Sequence, residues 1–220
     1  MHLSIQAKEN LTNERLNSLY ELIGLMNSVY QLPDLLEFVV DRALNLTGGH
    51  RGLLLLSDDH ERSLQHIAVK QGQELDDSHV EQALNFVSTT VIKDVLAKGE
   101  PRLIRNLPGD RRFEGFAGSD TAEYKNVRSV LAVPLKIAQE LVGLIYIDHP
   151  RQAIFGQADL AFLSAFATQA ALAINRAQTH QRQLDELALL NRLSRSVVEV
   201  LDLDEVYNGE QDTMSNLYTI

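Results

Sequence analysis

The sequence contains no cysteine, and its basic residues are outnumbered, with 20 Lys and Arg against 30 Asp and Glu. Without cysteine there is no disulfide, no thiolate metal site and no thiol nucleophile. The net charge of -10 and the lack of clustered Lys and Arg argue against a nucleic-acid partner, because phosphate contacts require such clusters.

Catalytic motifs are also missing. The seven histidines are scattered, with no H-E-x-x-H and no pair at i, i+4, and there is no G-x-S-x-G, P-loop or G-x-G-x-x-G. We therefore expect no catalytic residue, no metal site and no enzyme activity in this chain. The sequence indicates no particular cofactor.

The N-terminus has no apolar signal core, and this favours a cytoplasmic location. The most hydrophobic helical segment, Ala161–Ile174, is interrupted by Ser164, Thr168 and Gln169. It is too short to cross a bilayer, so we expect no membrane insertion.

The most informative stretch runs from Asn126 to Ala177. RSVLAVPLKI alternates with a period of two and has little polarity on either face, as expected for a strand covered on both sides. LVGLIYIDH follows after a short turn, so the two strands are predicted to be antiparallel. Gly143 interrupts the second strand, where a side chain would obstruct a neighbouring backbone, the following helix or a ligand. A long helix follows Pro150.

The remaining segments add two N-terminal helices, a hairpin from about residue 50, a helix over HVEQALNFV, a helix capped by Ser88 or Thr89, and a short strand in EPRLIRNL. A long aperiodic loop spans residues 108–126, and such loops are often functional. Strands segregated from helices predict an α+β domain with an antiparallel sheet.

The order VRSVLAVPL, LVGLIYID, F-x-x-x-D-L and ATQAALAINRA resembles the C-terminal half of GAF domains, the small-molecule sensor modules of signalling proteins. STTVIKDVLAKGEPRLIRNL and the D-x-R-F at Asp110, Arg112 and Phe113 extend the resemblance over about residues 33–177. The resemblance implies a GAF/PAS-like sheet of five or six strands with helices packed on it. It also implies a ligand pocket between one sheet face and the 108–126 loop.

The predicted organisation is an amphipathic helix over residues 1–32, a GAF-like domain over 33–177 and a helical continuation over 178–220. A shift of 171 positions (187 minus 16) aligns seven apolar pairs, from Leu187 with Leu16 to Leu203 with Leu32 and Val206 with Leu35. This alignment suggests the truncated start of a second GAF-like unit. Alternatively, the two segments are unrelated amphipathic helices, since any two such helices can be aligned so that their apolar residues coincide.

The candidate ligand-binding residues lie on the predicted strands or in the loop above them: His66, Phe113, Phe116, Tyr124, Arg128, Tyr146 and Asp148. Arg128 suits a carboxylate or phosphate, and the aromatic residues suit an apolar or planar body. There is a structural alternative for each of these residues. The aromatic residues would anchor the loop, His66 would be a hydrogen-bonded strand residue, and Arg128 would form a structural ion pair.

Two functions remain open. The first is a regulatory sensor that binds an unidentified small molecule and transmits through its terminal helices to an output domain. The second is a ligand-free dimerisation module, favoured if Phe86, Val91, Leu131 and Tyr146 together fill one sheet face. Lack of cysteine excludes the methionine sulfoxide reductase and covalent bilin chemistries of the family. Cyclic nucleotide binding is a minor alternative, because Asp148-His149 and Leu160 depart from the expected N-K and D-E.

The terminal helices carry apolar stripes, from Leu16 to Met26 and at Leu184, Leu187, Asn191 and Val198. Both helices were expected to lie outside the compact domain, where their stripes would meet water. The sequence therefore predicts a parallel homodimer through a coiled coil.

Overall fold

The computed structural model describes residues 2–25, 31–57, 64–71, 73–74, 87–112 and 127–217. Side chains are described for residues 10–21, 24, 31–57, 87–112 and 127–194. The predicted helix HVEQALNFV and most of the 108–126 loop lie outside the described residues.

Four helices are described: α1 His2–Leu25, α2 Leu32–Thr47, α3 Thr89–Lys98 and α4 Gln157–Leu217. Pro33 is in the first turn of α2, where its missing N–H needs no partner. Gly48 and Gly99 end α2 and α3 in the left-handed conformation, with φ of 69° and 62°. Ser88, one of the two predicted caps, is the N-cap of α3, and its side chain accepts a hydrogen bond from the Val91 amide.

The strands form one antiparallel sheet in the order β3-β2-β1-β6-β5-β4. Their bounds are β1 Arg51–Ser57, β2 Leu64–Gln71, β3 Gln73–Glu74, β4 Arg102–Ile104, β5 Ser129–Ile137 and β6 Glu140–His149. The predicted α+β class with an antiparallel sheet is confirmed. Four strands, β1, β4, β5 and β6, have described side chains. The expected count of five or six is reached only by adding β2 and β3, for which the backbone alone is described.

One face of the sheet is covered by α2 and the first five turns of α4, and we call it the α2/α4 face. Leu54 and Leu56 of β1, with Leu131, Val133 and Leu135 of β5, pack there against fully buried helix residues. These helix residues include Val39, Val40, Leu163, Phe166, Ala170 and Ile174. Ala167, Ala170, Ala171 and Ala173 of α4 are buried in the same cluster.

The opposite face, which we call the α3 face, is covered by the ten-residue helix α3. Val91 and Val95 pack on Leu53, Leu55 and Leu144. Val130 and Ala132 of β5 face this side, so the predicted alternation of β5 between two buried faces is confirmed. The grouping of Leu131 with Val91 and Tyr146 is wrong, because Leu131 lies on the α2/α4 face.

Gly143 lies where β6 passes closest to β1. A Cβ at this position would be 2.2 Å from the carbonyl oxygen of Leu55 and 3.2 Å from Leu135 Cδ1. The close approach predicted from the sequence therefore involves the backbone of the neighbouring strand. The expectation that the following helix or a ligand occupies this space is wrong.

The described chain divides into two compact units, Met1–Ala177 and Gln178–Ile220. α1 belongs to the first unit, where Ser18 is buried and Leu19 packs on the core, so Leu19 is not part of an exposed stripe. The assumption that α1 lies outside the compact domain is therefore wrong. Leu11, Leu16 and Tyr20 remain exposed.

The helix after the sheet is predicted to continue into residues 178–220, and it extends from Gln157 to Leu217. The aligned N-terminal segment differs, since α1 ends at Leu25 and Pro33 starts α2. No proline follows Leu201, so nothing forces a break there.

By length and composition, Gln157–Ser194 could cross a membrane, whereas the sequence led us to expect a segment too short for this. The same composition suits a core helix. The apolar side chains of this helix pack in the core on the α2/α4 face, among them Phe162, Leu163, Phe166 and Ile174.

Candidate functional site

The candidate site is a buried polar group at one end of the α3 face, where β1 starts and β6 ends. Arg51 and Asp148 are directly paired in the antiparallel register of β1 and β6, which brings their side chains to the same face. The guanidinium donates two hydrogen bonds to the carboxylate, from Nε to Oδ1 and from Nη2 to Oδ2, both 2.9 Å long. This bidentate geometry is the strongest form of an Arg–carboxylate contact.

Tyr146 extends this polar group to the start of α3. It lies two residues before Asp148 on the same face of β6, and its hydroxyl hydrogen-bonds the Asp148 carboxylate. The same hydroxyl accepts a hydrogen bond from the backbone N–H of Ser88, with 3.1 Å between nitrogen and oxygen. A continuous polar chain, Arg51–Asp148–Tyr146–Ser88, therefore joins β1, β6 and the N-terminus of α3.

The ionised form of Asp148 is destabilised by burial. The residue has no exposed surface, whereas the side chain of Arg51 keeps 12% of its own. Burial raises the pKa of Asp148, and the hydrogen bonds and charge of Arg51 oppose the rise without cancelling it. The site therefore holds a carboxyl group that binds its proton more tightly than an exposed aspartate does.

Arg128 lies beside this polar chain. Its backbone N–H donates to the His149 carbonyl at 3.0 Å, and its carbonyl accepts from the Leu107 amide at 2.7 Å, so the start of β5 is fixed. The side chain is half-buried. Among the residues that the structure describes, the guanidinium has no hydrogen-bond or ion-pair partner.

The 108–126 loop begins next to this end of the sheet. Leu107–Gly109 forms a 3-10 turn, and Asp110 then accepts hydrogen bonds from the backbone N–H and the Nε of Arg112, at 3.1 and 2.9 Å. The hydrogen bonds from Arg112 lower the pKa of Asp110. The first residues of the D-x-R-F motif therefore form a charged, locally ordered turn at the start of the loop.

The structure brings three of the seven predicted ligand-binding residues to one region: Arg128, Tyr146 and Asp148. The backbone of His66 belongs to β2, where the register with β1 shifts between Leu55 and Leu56. The side chain of His66 and all of Phe113, Phe116 and Tyr124 lie outside the described residues, so their roles stay predictions.

Sequence reasoning missed Arg51 and Ser88 as members of the site. Ser88 was interpreted as a helix cap alone, and its amide also binds Tyr146. The sequence could have pointed to Arg51, because it is a charged residue at the start of an otherwise apolar strand. Its partner is 97 positions away, and only the pairing of β1 with β6 identifies it.

Two histidines lie at the same end of the sheet, beside the polar chain. The rings of His50 and His149 are edge to face with centroids 6.0 Å apart, and His149 Nδ1 accepts the backbone N–H of Arg151. Burial lowers the pKa of His149, and the charges of His50 and Arg151 lower it further. Within the described part of the chain, no three His, Asp or Glu residues are placed to hold a metal ion.

Comparison with known proteins agrees with this architecture. The sequence profile of the GAF domain matches residues 31–174. No curated protein matches the sequence.

Several solved structures share the fold. The GAF domain of a phosphoenolpyruvate-protein phosphotransferase from Coxiella burnetii has a TM-score of 0.57 and 20% identity, covering 77% of this chain and 97% of its own. The corresponding domain from Acinetobacter has a TM-score of 0.55 and 19% identity, covering 76% and 96%. The free methionine-R-sulfoxide reductase from Neisseria meningitidis, solved in complex with its substrate, has a TM-score of 0.55 and 14% identity, covering 76% and 91%.

GAF domains are sensor modules of signalling proteins, and at these identities the structural likeness establishes the fold alone. The sequence match covers more than half of the chain. The chain therefore belongs to the GAF domain family.

Proposed function

We propose that this protein is a regulatory sensor domain that binds an anionic small molecule at the polar end of the α3 face. The buried chain Arg51–Asp148–Tyr146–Ser88 carries the proposal. Buried ion pairs contribute little net stability, because desolvation offsets their attraction. A polar group of this kind within an apolar face is typical of a ligand site, where few polar residues fix the orientation of the bound molecule.

Arg128 supplies the group that would bind the ligand. Arg51 is neutralised by Asp148, whereas the guanidinium of Arg128 has no partner among the described residues. A free guanidinium suits the planar, bidentate recognition of a carboxylate or phosphate. The ligand would lie between the sheet and the 108–126 loop, where Phe113, Phe116 and Tyr124 remain predicted contacts.

Mass spectrometry of the natively purified protein tests this proposal. We expect a retained carboxylate- or phosphate-bearing molecule in the wild type, and its loss in Arg128→Met. Lys93→Met is the matched control, since Lys93 is an exposed cation on the outer side of α3. The proposal is wrong if Arg128→Met retains the molecule as well as Lys93→Met does. It is equally wrong if the wild type retains none and a panel of carboxylates and phosphates leaves its melting temperature unchanged.

The regulatory role requires a route from the site to a partner. α4 is helical from Gln157 to Leu217, and a helix can carry a shift or rotation that a flexible linker would absorb. Hydrogen exchange across Ala177–Leu187 should show protection comparable with that of the preceding turns. Rapid exchange there in the intact assembly would mean a hinge, and transmission along α4 would be abandoned.

The second function is a dimerisation module, and exposed leucines in the second unit favour it. Leu184, Leu187, Leu190 and Leu193 are between 48% and 57% exposed. We propose that Leu184, Leu187 and Asn191 lie in the seam of a parallel coiled coil with a second copy. A single asparagine in such a seam specifies register and favours two chains. Dimerisation and ligand binding are compatible.

The lack of cysteine allows a direct test of orientation. Leu187→Cys should form an intermolecular disulfide in a parallel pair, because equivalent seam residues face each other. Arg182→Cys, on the outer side of the same seam, is the control and should remain a thiol. Light scattering should give a dimer mass for the wild type and a monomer for Leu187→Glu. A monomeric wild type with folded helices would rule out this dimer.

We propose a regulatory role for the chain, and the expectation that it has no enzyme activity stays a prediction from the sequence. The cytoplasmic location stays a prediction.

A further inference from the structure

Arg15 of α1 contacts two other helices with a single side chain. Its Nη2 donates to the carbonyl oxygen of Leu46, at the end of α2, at 3.0 Å, and to the Oδ1 of Asp159 in the first turn of α4. Its guanidinium also lies over the ring of Phe162, 4.9 Å from the centroid. The contacts are largely shielded from water, since the side chains of Arg15 and Asp159 are only 15% and 19% exposed.

Asp159 uses its second oxygen to start α4. Its Oδ2 accepts the backbone N–H of Gly156 at 2.8 Å, as the acidic residue of a capping box does. One carboxylate therefore fixes the N-terminus of the helix that leaves the domain and also binds α1. A change in the docking of α1 acts directly on the first turn of α4.

The described side chains of α1 make few buried contacts besides those of Arg15. Among its described side chains, Ser18 is the single buried one and Leu19 is partly buried, whereas Leu11, Leu16 and Tyr20 are exposed. The Nε of Arg15 is buried without a hydrogen-bond partner among the described residues, and this lowers the net gain from docking. Elements with few buried apolar contacts open at low free energy.

We propose that the Arg15–Asp159 pair is a releasable latch that holds α1 on the domain and couples its docking to the start of α4. With the latch closed, Arg15 covers Phe162, and Ser18 is inaccessible. With it open, α1 leaves the surface of α2 and α4 and exposes Ser18. The proposal does not depend on a ligand on the α3 face, because every contact involved lies on the other side of the sheet.

A buried reporter thiol measures the release of α1. Ser18→Cys is a nearly isosteric change at a position with 2% exposure, and the chain has no other cysteine to react. We expect slow reaction of this thiol with a soluble disulfide reagent. Adding Arg15→Met should raise the rate about tenfold or more, since the change removes charge-assisted hydrogen bonds. Asp159→Asn should have a similar effect, and asparagine can still accept from Gly156.

Arg42→Gln is the matched control. Arg42 and Glu21 also connect α2 to α1, with 3.0 Å between Nη2 and Oε2, but their side chains are 39% and 47% exposed. Exposed pairs contribute little, so the labelling rate should change less than about twofold. In the variant carrying both Arg15→Met and Asp159→Asn, the rate should be close to that of Arg15→Met alone, because Asp159→Asn acts through its contact with Arg15.

Val95→Cys, on α3, separates release of α1 from unfolding of the whole domain. Val95 is fully buried, and its reporter thiol should not react faster when Arg15→Met is added. Equal acceleration at both positions would overturn the latch, since it would indicate global opening. An unchanged rate at Ser18→Cys in both Arg15→Met and Asp159→Asn would overturn it as well. So would additive effects of the two changes.

Discussion

The two faces of the sheet are covered in different ways. On the α2/α4 face, two helices and three strands enclose a large apolar cluster, and the Arg15–Asp159 ion pair on this side keeps 15% and 19% of its side-chain surface exposed. On the α3 face, a ten-residue helix covers a smaller apolar cluster that gives way at one end to Arg51, Asp148 and Tyr146. Burial of apolar surface stabilises both faces. On the α3 face, the desolvation of the fully buried Asp148 offsets part of that stabilisation.

This difference indicates how the fold divides its tasks. The α2/α4 face packs against α2 and the start of α4, and the α3 face carries the polar group that we propose as a ligand site. β5 and β6 serve both, because their alternate residues point to opposite sides. Substitutions on a single strand can therefore test the two faces separately.

The largest effect is expected from a matched pair of leucines on adjacent strands. Leu135 and Leu144 are both fully buried, the first on the α2/α4 face and the second on the α3 face. Leu135→Ala should lower the free energy of unfolding by about 3–5 kcal/mol and Leu144→Ala by about 2–3 kcal/mol, because the short α3 can move inward and partly fill the cavity. Urea denaturation measures both changes. Equal costs would mean that α3 is held as rigidly as α2 and α4.

The buried ion pair gives the next largest effect. Asp148→Ala should cost about 3 kcal/mol, since it leaves the Arg51 guanidinium, only 12% exposed, without its partner. Replacing both residues, with Arg51→Met and Asp148→Leu, should recover most of that loss while abolishing ligand retention. If the double variant is no more stable than Asp148→Ala, the pair stabilises the fold, and its functional interpretation loses support.

Gly143 tests the close approach of β1 and β6, which both faces share. Gly143→Val should destabilise the protein by about 1–3 kcal/mol through overpacking, because its Cβ would overlap the Leu55 carbonyl. Gly24→Ala is the control. A Cβ at Gly24 in α1 meets no atom within 4 Å, so this change should be neutral or slightly stabilising. An unchanged denaturation midpoint for Gly143→Val would show that the strands separate without cost.

Part of this structure could be predicted from the sequence. The alternation of β5 identified both of its buried faces, and the position of Gly143 within an apolar strand indicated a close approach. Both inferences use local periodicity, which the chain displays directly. The cap of α3 was predicted from residue type as Ser88 or Thr89, and Ser88 occupies that position.

The partners of these residues could not be predicted, because they depend on pairing between distant segments. Arg51 meets Asp148, Arg15 meets Asp159, and Leu55 obstructs a side chain at Gly143. Each contact follows from strand register or helix docking, and alternative registers have the same local pattern. Three of the predicted site residues therefore come together at one end of the sheet, while the ion pair between Arg51 and Asp148 was missed.

The smallest effect expected is a pH dependence that arises on the α3 face alone. Burial raises the pKa of Asp148 above that of the unfolded chain, so the folded protein binds the proton more tightly. The stability that this proton contributes is fully present below about pH 4, where an unfolded aspartate is protonated. It is lost as the pH rises through the folded-state pKa.

The free energy of unfolding of the wild type, minus that of Asp148→Asn, should therefore decrease as the pH rises from 4 towards 7. Asparagine does not titrate, so the difference isolates this one carboxyl from every other group. Urea denaturation at several pH values gives the curve. A difference that increases with pH would mean that the attraction of Arg51 outweighs burial. The α3 face would then hold a stabilising ion pair, and its contrast with the α2/α4 face would largely disappear.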